Sequence, residues 1–372
     1  MIVFFISIVS IILALMHLVI YKAIILVFPM SAFLRYLAGS ALFLFCMSFV
    51  LASVLVFNSD NSLIRIYYTV AATWLGFAFY LFLASCVIAL LYFLAFLLRF
   101  DPHLVEFTGI LFFLAAFVVS LYGVLHANNI LIKQIDVPVL NLPIAWKNRK
   151  IAWVSDVHLG AVHGKDFMTR VVHKLQTINP DMLFIGGDLY DGVKVNETEI
   201  IQPLSRINPP LGVFFVTGNH EEFHDPVKYS KAIKSIGIRV LNNEIVDIGG
   251  LQIIGVDDRD SIDISKFKQI LSGLHINTSK PAVLLKHEPS GLESAEAAGI
   301  TLQISGHTHR AQVFPLNLIT SLIFKGYDYG LRKFGSMYVY TSSGVGTWGP
   351  PLRVGSDSEI VVFKFTDSGS RY

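Results

Sequence analysis

The sequence predicts a membrane domain of four helices followed by an α/β domain. The first 130 residues hold four long apolar runs with very few charges. The remaining residues alternate short β-branched runs with polar, amphipathic stretches, which is the pattern of an α/β fold. Five of these short runs end in aspartate, asparagine or histidine. A chain of 372 residues is long enough for two such domains.

The four apolar runs are long enough to cross a bilayer. Apolar residues make up 53% of the chain and the mean hydropathy is +0.59, both too high for an ordinary soluble protein. Because roughly 20 apolar residues span a bilayer as a helix, each run predicts a transmembrane helix. The predicted helices cover residues 1–28, 36–57, 66–98 and 104–125.

The first run lies where a cleaved signal peptide would also lie. Its apolar stretch is longer than that of a signal peptide, no basic segment precedes it, and no small-residue cleavage site follows it. We therefore expect a helix that is retained in the membrane.

Basic residues near the helix ends indicate the orientation of the predicted helices. Four helices place the N-terminus and the α/β domain on the same side of the membrane. The flanking residues are Lys22, Arg35 and Arg99 on the opposite side, and Arg65 and Lys133 on the domain's side. The positive-inside rule then favours an α/β domain outside the cytoplasm. A basic cluster at 147–150, just beyond the useful window, favours the reverse.

Charge and cysteine content indicate no nucleic-acid partner and no disulfide framework. The net charge is +2, the pI is near 8.4, and no basic stripe with interleaved aromatic residues occurs. Cys46 and Cys86 both lie in predicted helices, where we expect small apolar roles.

The composition changes between Ala127 and Lys150, where asparagine, proline and charged residues appear. This change predicts a transmembrane domain at 1–127 and a second domain at 128–372. Alternating apolar residues in "IKQIDVPVL" predict an edge strand at the start of the second domain. About 240 residues are enough for a single large core.

Five apolar runs in the second domain end in side chains that can bind metals. The endings are Asp156 and His158, Asp188, Asn219 and His220, His287, and His307 and His309. In α/β sheets, functional groups gather just beyond the carboxyl ends of the strands. Each ending alone is common by chance, but a chance origin for all five together would require five unrelated coincidences. We therefore expect one site at one edge of one sheet.

The types of side chain at these endings indicate which metals would bind. They include no thiolate, which excludes a structural zinc site of the cysteine type. Imidazole, carboxylate and amide donors suit Mn, with Fe or Zn as alternatives. Seven or eight donors exceed the needs of one ion, so we expect two divalent ions sharing a carboxylate, an arrangement that hydrolyses phosphate esters.

The segments "SDVHLG", "GGDLYDG", "GNHEE", "LLKHEP" and "SGHTH" together resemble the motif series of the calcineurin-like metallophosphoesterases. The resemblance covers about Ile151 to Phe365. The closing "GVGTWGPPLRVGSDSEIVVFKF" is similar to the membrane-associated bacterial branch of YkuE- and YaeI-like phosphoesterases. This resemblance implies a four-layer α/β/β/α sandwich behind the all-α four-helix transmembrane domain.

The resemblance also implies roles for individual residues. Asp156, His158 and His309 would hold the first metal; Asn219, His287 and His307 would hold the second, with Asp188 bridging. A bridging hydroxide would attack phosphorus. His220 would protonate the leaving oxygen or stabilise its charge, and the Asp191 carboxylate would orient His220.

Two departures from the family pattern concern the substrate. Gly192 stands where the protein phosphatase branch has an arginine, which argues against phosphoprotein substrates. Many relatives have two glycines after the last histidine, whereas this chain has Arg310 and Ala311. Arg310 is a candidate phosphate or head-group contact, with an ordinary surface arginine as the alternative. His163 is a second candidate substrate contact.

The predicted function is that of a membrane-anchored dinuclear phosphoesterase acting on a phosphodiester or pyrophosphate. Four helices would hold the site near the bilayer, so a lipid-linked substrate is our expectation. One alternative is a non-catalytic metal-binding scaffold, although such a domain would be expected to lose ligands that this chain keeps. Another is a transporter or receptor regulated by the domain, which the scarcity of intramembrane charges disfavours.

Overall fold

The computed structural model of the protein describes residues 2–99 and 101–367. Met1, Phe100 and residues 368–372, the last of which end the predicted second domain, lie outside the described residues. The chain divides into two compact units. The first contains Met1–His126 and Gly349–Val354, and the second contains Ala127–Trp348 and Gly355–Tyr372.

The first unit contains four helices that are long and apolar enough to cross a membrane. Their bounds are α1 Ile2–Val27, α2 Ala32–Asn58, α3 Ser62–Leu98 and α4 Pro102–Ala127. The predicted number of helices is thus confirmed. Two helices begin four residues earlier than the apolar runs because capping side chains, not hydrophobicity, fix the start. Ser31 accepts a hydrogen bond from the Leu34 N–H, and Asn61 accepts one from the Leu63 N–H.

The first sheet of the second unit has six strands in the order β1-β12-β2-β3-β4-β5. The bounds are β1 Ile130–Val139, β2 Ile151–Val154, β3 Met182–Ile185, β4 Val213–Phe215, β5 Arg239–Val240 and β12 Ser358–Asp367. Strands β2 to β5 are parallel, so their carboxyl ends share one edge. β1 lies at the margin of this sheet, which confirms the predicted edge strand.

The second sheet also has six strands, in the order β10-β11-β9-β8-β7-β6. The bounds are β6 Glu244–Ile248, β7 Leu251–Gly255, β8 Ala282–Leu285, β9 Leu302–Ser305, β10 Gly330–Phe334 and β11 Met337–Thr341. The four central strands β7, β8, β9 and β11 are parallel, while the two outer strands are antiparallel to their neighbours.

Within the described residues, eight α-helices lie between the strands of the second unit. They are α5 Lys165–Ile178, α6 Glu197–Ile201, α7 Asn219–Phe223, α8 Pro226–Ser235, α9 Asp258–Ile262, α10 Ile264–Gly273, α11 Leu292–Ala297 and α12 Leu316–Ile323. Helix α5 buries a stripe at helical spacing that includes Phe167, Val171 and Leu175.

The two sheets pack face to face around one core. This core joins Trp153 and Phe184 of the first sheet to Ile253, Leu285 and Ile304 of the second. A further apolar cluster covers the other face of the second sheet, where α10 and α11 pack against β7 and β8. The predicted α/β sandwich, preceded in the sequence by four apolar helices, is therefore confirmed. The packing aligns the strand ends of both sheets, which positions the site described next.

Gly349–Val354 groups with the helices of the first unit, although the sequence prediction assigned these residues to the second domain. Within the first unit, the Arg353 N–H donates to the Gly123 carbonyl at 2.9 Å. A Cβ atom at Gly76 would lie 1.8 Å from the Leu352 side chain. Glycine at position 76 thus permits a close approach that periodicity alone does not indicate.

Candidate metal centre

The five predicted strand ends supply one cluster of polar side chains, but they come from two sheets, so the expectation of a single sheet was wrong. In the first sheet, β2 leads to Asp156 and His158, β3 to Asp188, and β4 to Asn219 and His220. In the second sheet, β8 leads to His287, and β9 leads to His307 and His309. Parallel pairing within each sheet brings these ends together, as expected for side chains that follow neighbouring parallel strands.

One group of potential metal ligands consists of Asp156, His158 and His309. Their ligand-type atoms all lie within 4.8 Å of one another. The Nε2 atoms of His158 and His309 are 3.0 Å apart, and His309 Nε2 lies 3.6 Å from an oxygen of Asp156. All three residues are buried.

A second group consists of Asp188, His287 and His307, again with ligand-type atoms within 4.8 Å of one another. His287 Nε2 lies 3.2 Å from Asp188 Oδ2, and Asn219 Oδ1 lies 2.9 Å from His307 Nδ1. The same oxygen of Asp188 lies 3.8 Å from His158 Nε2. The Asp188 carboxylate therefore lies between the two groups.

The donor atoms suit divalent cations. Asp156 Oδ2 and His287 Nε2 are both buried, and Asp156 Oδ2 has no hydrogen-bond partner among the described residues. His287 Nδ1 lies 2.7 Å from the Gly186 carbonyl, and donation to that carbonyl leaves Nε2 free to bind a cation. Carboxylate, imidazole and amide donors suit borderline or hard ions, so the residues present fit two divalent ions.

Several of these residues have a left-handed backbone, a conformation that residues other than glycine rarely adopt. The φ angle is +53° at Asp156, +51° at His158, +48° at Asp188, +69° at His307 and +49° at His309. Strained backbone of this kind clusters at functional sites and persists only where the surrounding structure holds it. Here the Asp156 N–H donates to the Gly187 carbonyl, and the His158 N–H donates to the Asp188 carbonyl.

Two glycines allow the strand-end loops to approach one another. A Cβ atom at Gly218 would lie 2.3 Å from Asp188 Oδ1, and one at Gly306 would lie 2.3 Å from Asp156 Oδ2. Any larger residue at either position would displace a candidate ligand. The glycines in "TGNH" and "SGHTH" are thus explained by close packing.

The electrostatic environment keeps the central carboxylate ionised. Burial favours a raised pKa for Asp188, but the imidazoles of His287, His158 and His220 hold that pKa well below its usual value. Burial alone would lower the pKa of His158, but the carboxylates of Asp191 and Asp188 raise it above its usual value. The negative carboxylates and the imidazoles of this cluster thus stabilise each other's charged forms.

His220 lies beside both groups. Its ring packs edge to face on the His158 ring, with centroids 4.7 Å apart. Its Nδ1 lies 3.1 Å from the Asp191 backbone carbonyl and 3.9 Å from the Asp191 carboxylate. The Asp191 carboxylate is nearer to His158 Nδ1, at 3.3 Å. The contact predicted between Asp191 and His220 is therefore made mainly by the backbone, and the carboxylate faces a candidate ligand.

Arg310 lies directly after the candidate ligand His309. Its guanidinium lies over the Tyr329 ring, 4.5 Å from the centroid. The Tyr329 hydroxyl contacts Lys133 and donates to the buried Glu359 carboxylate at 3.1 Å. Arg310 thus rests on an aromatic ring that a buried polar network holds in place.

His163 has a different environment. Its side chain is buried, its Nε2 accepts a hydrogen bond from the Thr347 N–H at 2.9 Å, and its ring stacks on Phe167. The ring therefore holds the loop that precedes Trp348. A direct contact between His163 and the substrate stays a prediction.

Glu221 is a buried residue of this cluster for which the sequence predicted no role. Its fully buried carboxylate accepts hydrogen bonds from the backbone N–H groups of Asp188, Tyr190 and Gly218, at 2.9, 3.0 and 2.8 Å. Burial and the nearby Asp188 charge raise the pKa of Glu221 to about 7. An acidic residue three positions after a helix N-cap is the signal that could have revealed it.

Comparisons with known proteins agree with this architecture. The family profile of calcineurin-like phosphoesterases matches residues 149–311. An uncharacterized metallophosphoesterase of Campylobacter jejuni is 31% identical over 333 residues, covering 86% of this chain and 87% of that protein. YkuE, a metallophosphoesterase of Bacillus subtilis, is 26% identical over 236 residues, covering 60% of this chain and 80% of that protein.

A relative that is named as a transmembrane protein is also similar. A transmembrane protein with a metallophosphoesterase domain from Bos taurus is 32% identical over 267 residues, covering 65% of this chain and 59% of that protein. The four apolar helices and this relative support a membrane protein. Together with the family profile and the Campylobacter relative, they establish that the chain is a membrane protein of the calcineurin-like metallophosphoesterase family.

Proposed function

We propose that the protein is a membrane-anchored phosphoesterase that hydrolyses phosphodiester or pyrophosphate bonds with two divalent metal ions. The observation that carries this proposal is the Asp188 carboxylate between two groups of potential ligands. A shared carboxylate is what two neighbouring cations require, and paired cations are used for displacement at phosphorus.

We assign the first ion to Asp156, His158 and His309, and the second to Asn219, His287 and His307. Mn²⁺ is our first choice, with Fe or Zn as alternatives, because the donors are imidazole, carboxylate and amide. Bound there, two such ions would supply a hydroxide nucleophile at neutral pH and would neutralise charge on the phosphate.

The protein's own groups complete the proposed mechanism. His220 lies beside both ligand groups with a side chain 14% exposed, so its ring can reach a substrate that enters from solvent. Its Nδ1 faces the Asp191 carbonyl, and we assign its Nε2 as the atom that donates a proton to the leaving oxygen. Arg310 would pair with a non-bridging phosphate oxygen or a neighbouring phosphate.

The membrane helices support a substrate that resides in the bilayer. A phosphodiester or pyrophosphate linked to a lipid would reach a centre on the same chain as four apolar helices without leaving the membrane. From the distribution of basic residues, we place the second unit on the extracytoplasmic side.

The proposal is tested by hydrolysis of bis-p-nitrophenyl phosphate and p-nitrophenyl phosphate by the purified full chain. The protein is assayed after metal stripping and again after Mn²⁺ is restored, beside Asp188→Asn and the exposed control Asp166→Asn. We expect Mn²⁺-dependent turnover that Asp188→Asn loses and Asp166→Asn keeps. The ratio of the two rates separates diesterase from monoesterase activity.

Metal content is measured on the same samples. Two bound ions without hydrolysis of either soluble ester or of a lipid-linked pyrophosphate would indicate a non-catalytic metal-binding scaffold. Turnover that persists fully in Asp188→Asn would contradict the assigned centre.

A further inference from the structure

Helix α12 differs from the other amphipathic helices of the second unit. Helices α5 and α10 bury their apolar residues, whereas none of the residues of α12 is buried. Leu318, Ile319, Leu322 and Ile323 are 58%, 53%, 80% and 64% exposed. Their spacing places them on one side of the helix, which we name the α12 apolar face.

The polar residues of α12 point the other way. Thr320 Oγ1 lies 3.3 Å from the side chain of Asp328, which is itself buried. The helix thus directs a polar side chain towards the protein and its apolar side chains outwards, the reverse of an ordinary surface helix. An outward face of four exposed apolar side chains indicates a nonpolar partner.

Two further apolar side chains extend this surface. Phe314 is 49% exposed and Trp348 is 58% exposed. Gln312 lies two residues before Phe314 and bonds to the backbone of Trp348. The Trp348 N–H donates to Gln312 Oε1 at 3.0 Å, and Gln312 Nε2 donates to the Trp348 carbonyl at 3.2 Å. The loop that carries Trp348 is therefore attached to the segment that leads into α12.

The surface borders the metal centre. The Trp348 ring lies 5.9 Å from the His220 ring, and the ring of Phe324, which directly follows α12, lies 6.2 Å from the His307 ring. His220 and one ligand of the second group are thus flanked by residues next to the α12 apolar face.

The charged residues that follow α12 in the sequence fit anionic lipid head groups. From Arg310 to Tyr340 the sequence contains one acidic residue, Asp328, whose side chain is buried. The exposed charges in this segment are Lys325, Arg332 and Lys333, all positive. The helix itself has no basic residue, but an apolar face followed in the sequence by basic residues suits an anionic membrane surface.

The rest of the chain also favours lipid as the partner. It contains four helices that are long and apolar enough to cross a membrane, so a bilayer is an apolar surface that this protein meets in the cell.

We infer that the α12 apolar face docks into the surface of an anionic lipid bilayer, with Phe314 and Trp348 at its margin. This inference deepens the proposed function, because docking would bring the metal centre to phosphate esters in the head-group layer. Its test does not depend on catalysis, so it can fail while the proposed function stands.

The test uses the full chain in nanodiscs that contain phosphatidylglycerol. Cys46→Ala and Cys86→Ala remove the native thiols, and Leu322→Cys then carries a nitroxide spin label. Ser272→Cys on α10, an exposed polar position, carries the same label as a control. Power saturation compares collisions of each label with O₂, which enters lipid, and with a water-soluble nickel chelate.

We expect the label at position 322 to favour O₂ and the label at 272 to favour the nickel chelate. Equal exposure of both labels to the nickel chelate would overturn the inference. Protection of the 322 label from both reagents would overturn it too, because a protein surface such as a second copy would then cover the helix.

A second measurement avoids cysteine replacement. Leu322 is replaced by the photoreactive p-benzoylphenylalanine in the otherwise unaltered chain, and the irradiated protein is analysed by mass spectrometry. Docking predicts an adduct with the mass of a phospholipid. An adduct with another protein chain, or no lipid adduct at all, would contradict docking.

Discussion

The imidazole rings of His158 and His309 face each other nitrogen to nitrogen at 3.0 Å, although 151 positions separate them in the sequence. Burial lowers the pKa of an imidazole, and nearby carboxylates raise that of His158 again. The shared cation that we propose would give both nitrogen lone pairs a common partner and would account for the meeting of two rings from different sheets.

Removing one of these rings tests the first ion site. His309→Ala is expected to lose one of two bound Mn²⁺ ions and to lower kcat/KM by on the order of 100-fold or more, since even supporting groups at metal sites are worth 10–100-fold. Metal analysis and steady-state kinetics check both effects. The control is His173→Ala on the exposed side of α5. Retention of two ions at full affinity in His309→Ala would show that the assignment is wrong.

The proposed role of His220 predicts a dependence on the leaving group. His220→Asn is expected to lower kcat by roughly 10²–10⁴-fold for esters with an alkoxide leaving group, which needs a proton. The loss is expected to be much smaller for p-nitrophenyl esters, whose leaving group departs as an anion. Rates for paired methyl and p-nitrophenyl diesters measure this difference. Equal losses on both substrates would argue for charge stabilisation instead of proton donation.

The backbone of the segment after the last candidate ligand predicts that one alanine-to-glycine substitution will stabilise the protein. Ala311 has a φ angle of +55°, where glycine is favoured. Ala311→Gly should relieve about 1–2 kcal/mol of backbone strain and cost about 0.5–1 kcal/mol in chain entropy, so the protein should become slightly more stable. Thermal unfolding followed by circular dichroism measures the change.

The matched control for Ala311 is Ala298, which has a right-handed backbone with a φ angle of −80°. Ala298→Gly gains no relief of strain and should destabilise the protein by about 0.5–1 kcal/mol. A destabilisation of equal size at both positions would mean that the backbone at Ala311 is not strained.

The raised pKa of Asp257 predicts that the stability of the fold depends on pH. Burial and the charges of Glu222 and Asp260 raise its pKa to about 7. The folded state therefore binds a proton more tightly than the unfolded state, so stability falls as pH rises from about 4 to about 7. Asp257→Asn, which mimics the protonated form, should remove part of this fall, on the order of 1–4 kcal/mol.

Melting temperatures of wild type and Asp257→Asn between pH 4 and pH 8 check this prediction, with the exposed Asp166→Asn as a control. The two curves should converge at low pH and separate towards pH 8, with the variant more stable. Parallel curves would show that Asp257 titrates normally.

Much of the site could be predicted because its residues occupy equivalent positions. Asp156, Asp188 and His287 each follow a short buried strand, and parallel strands align such endings at one edge. The sequence could not indicate how Asp191 divides its contacts between His220 and His158, since this depends on side-chain directions set by the fold.

Other features depend on tertiary packing alone. The left-handed backbone at Asp156 and Asp188 is held by hydrogen bonds between loops from different strands. The grouping of Gly349–Val354 with the helices follows from contacts that no local pattern encodes. The direction of the α12 apolar face also escaped prediction, because amphipathic periodicity does not tell which side of a helix is covered.

The pairing of β1 with β12 has a consequence for the biosynthesis of the chain. β12 lies between β1 and β2, and Ile130 pairs in register with Ser358, about 230 residues later. At roughly 5–20 residues per second, β1 waits on the order of 10–50 seconds after synthesis for its partner. A ribosome that stops before Ser358 would leave two unpaired strand edges beside the translocation machinery, where such edges promote aggregation. Complete translation is thus a condition for closing the first sheet.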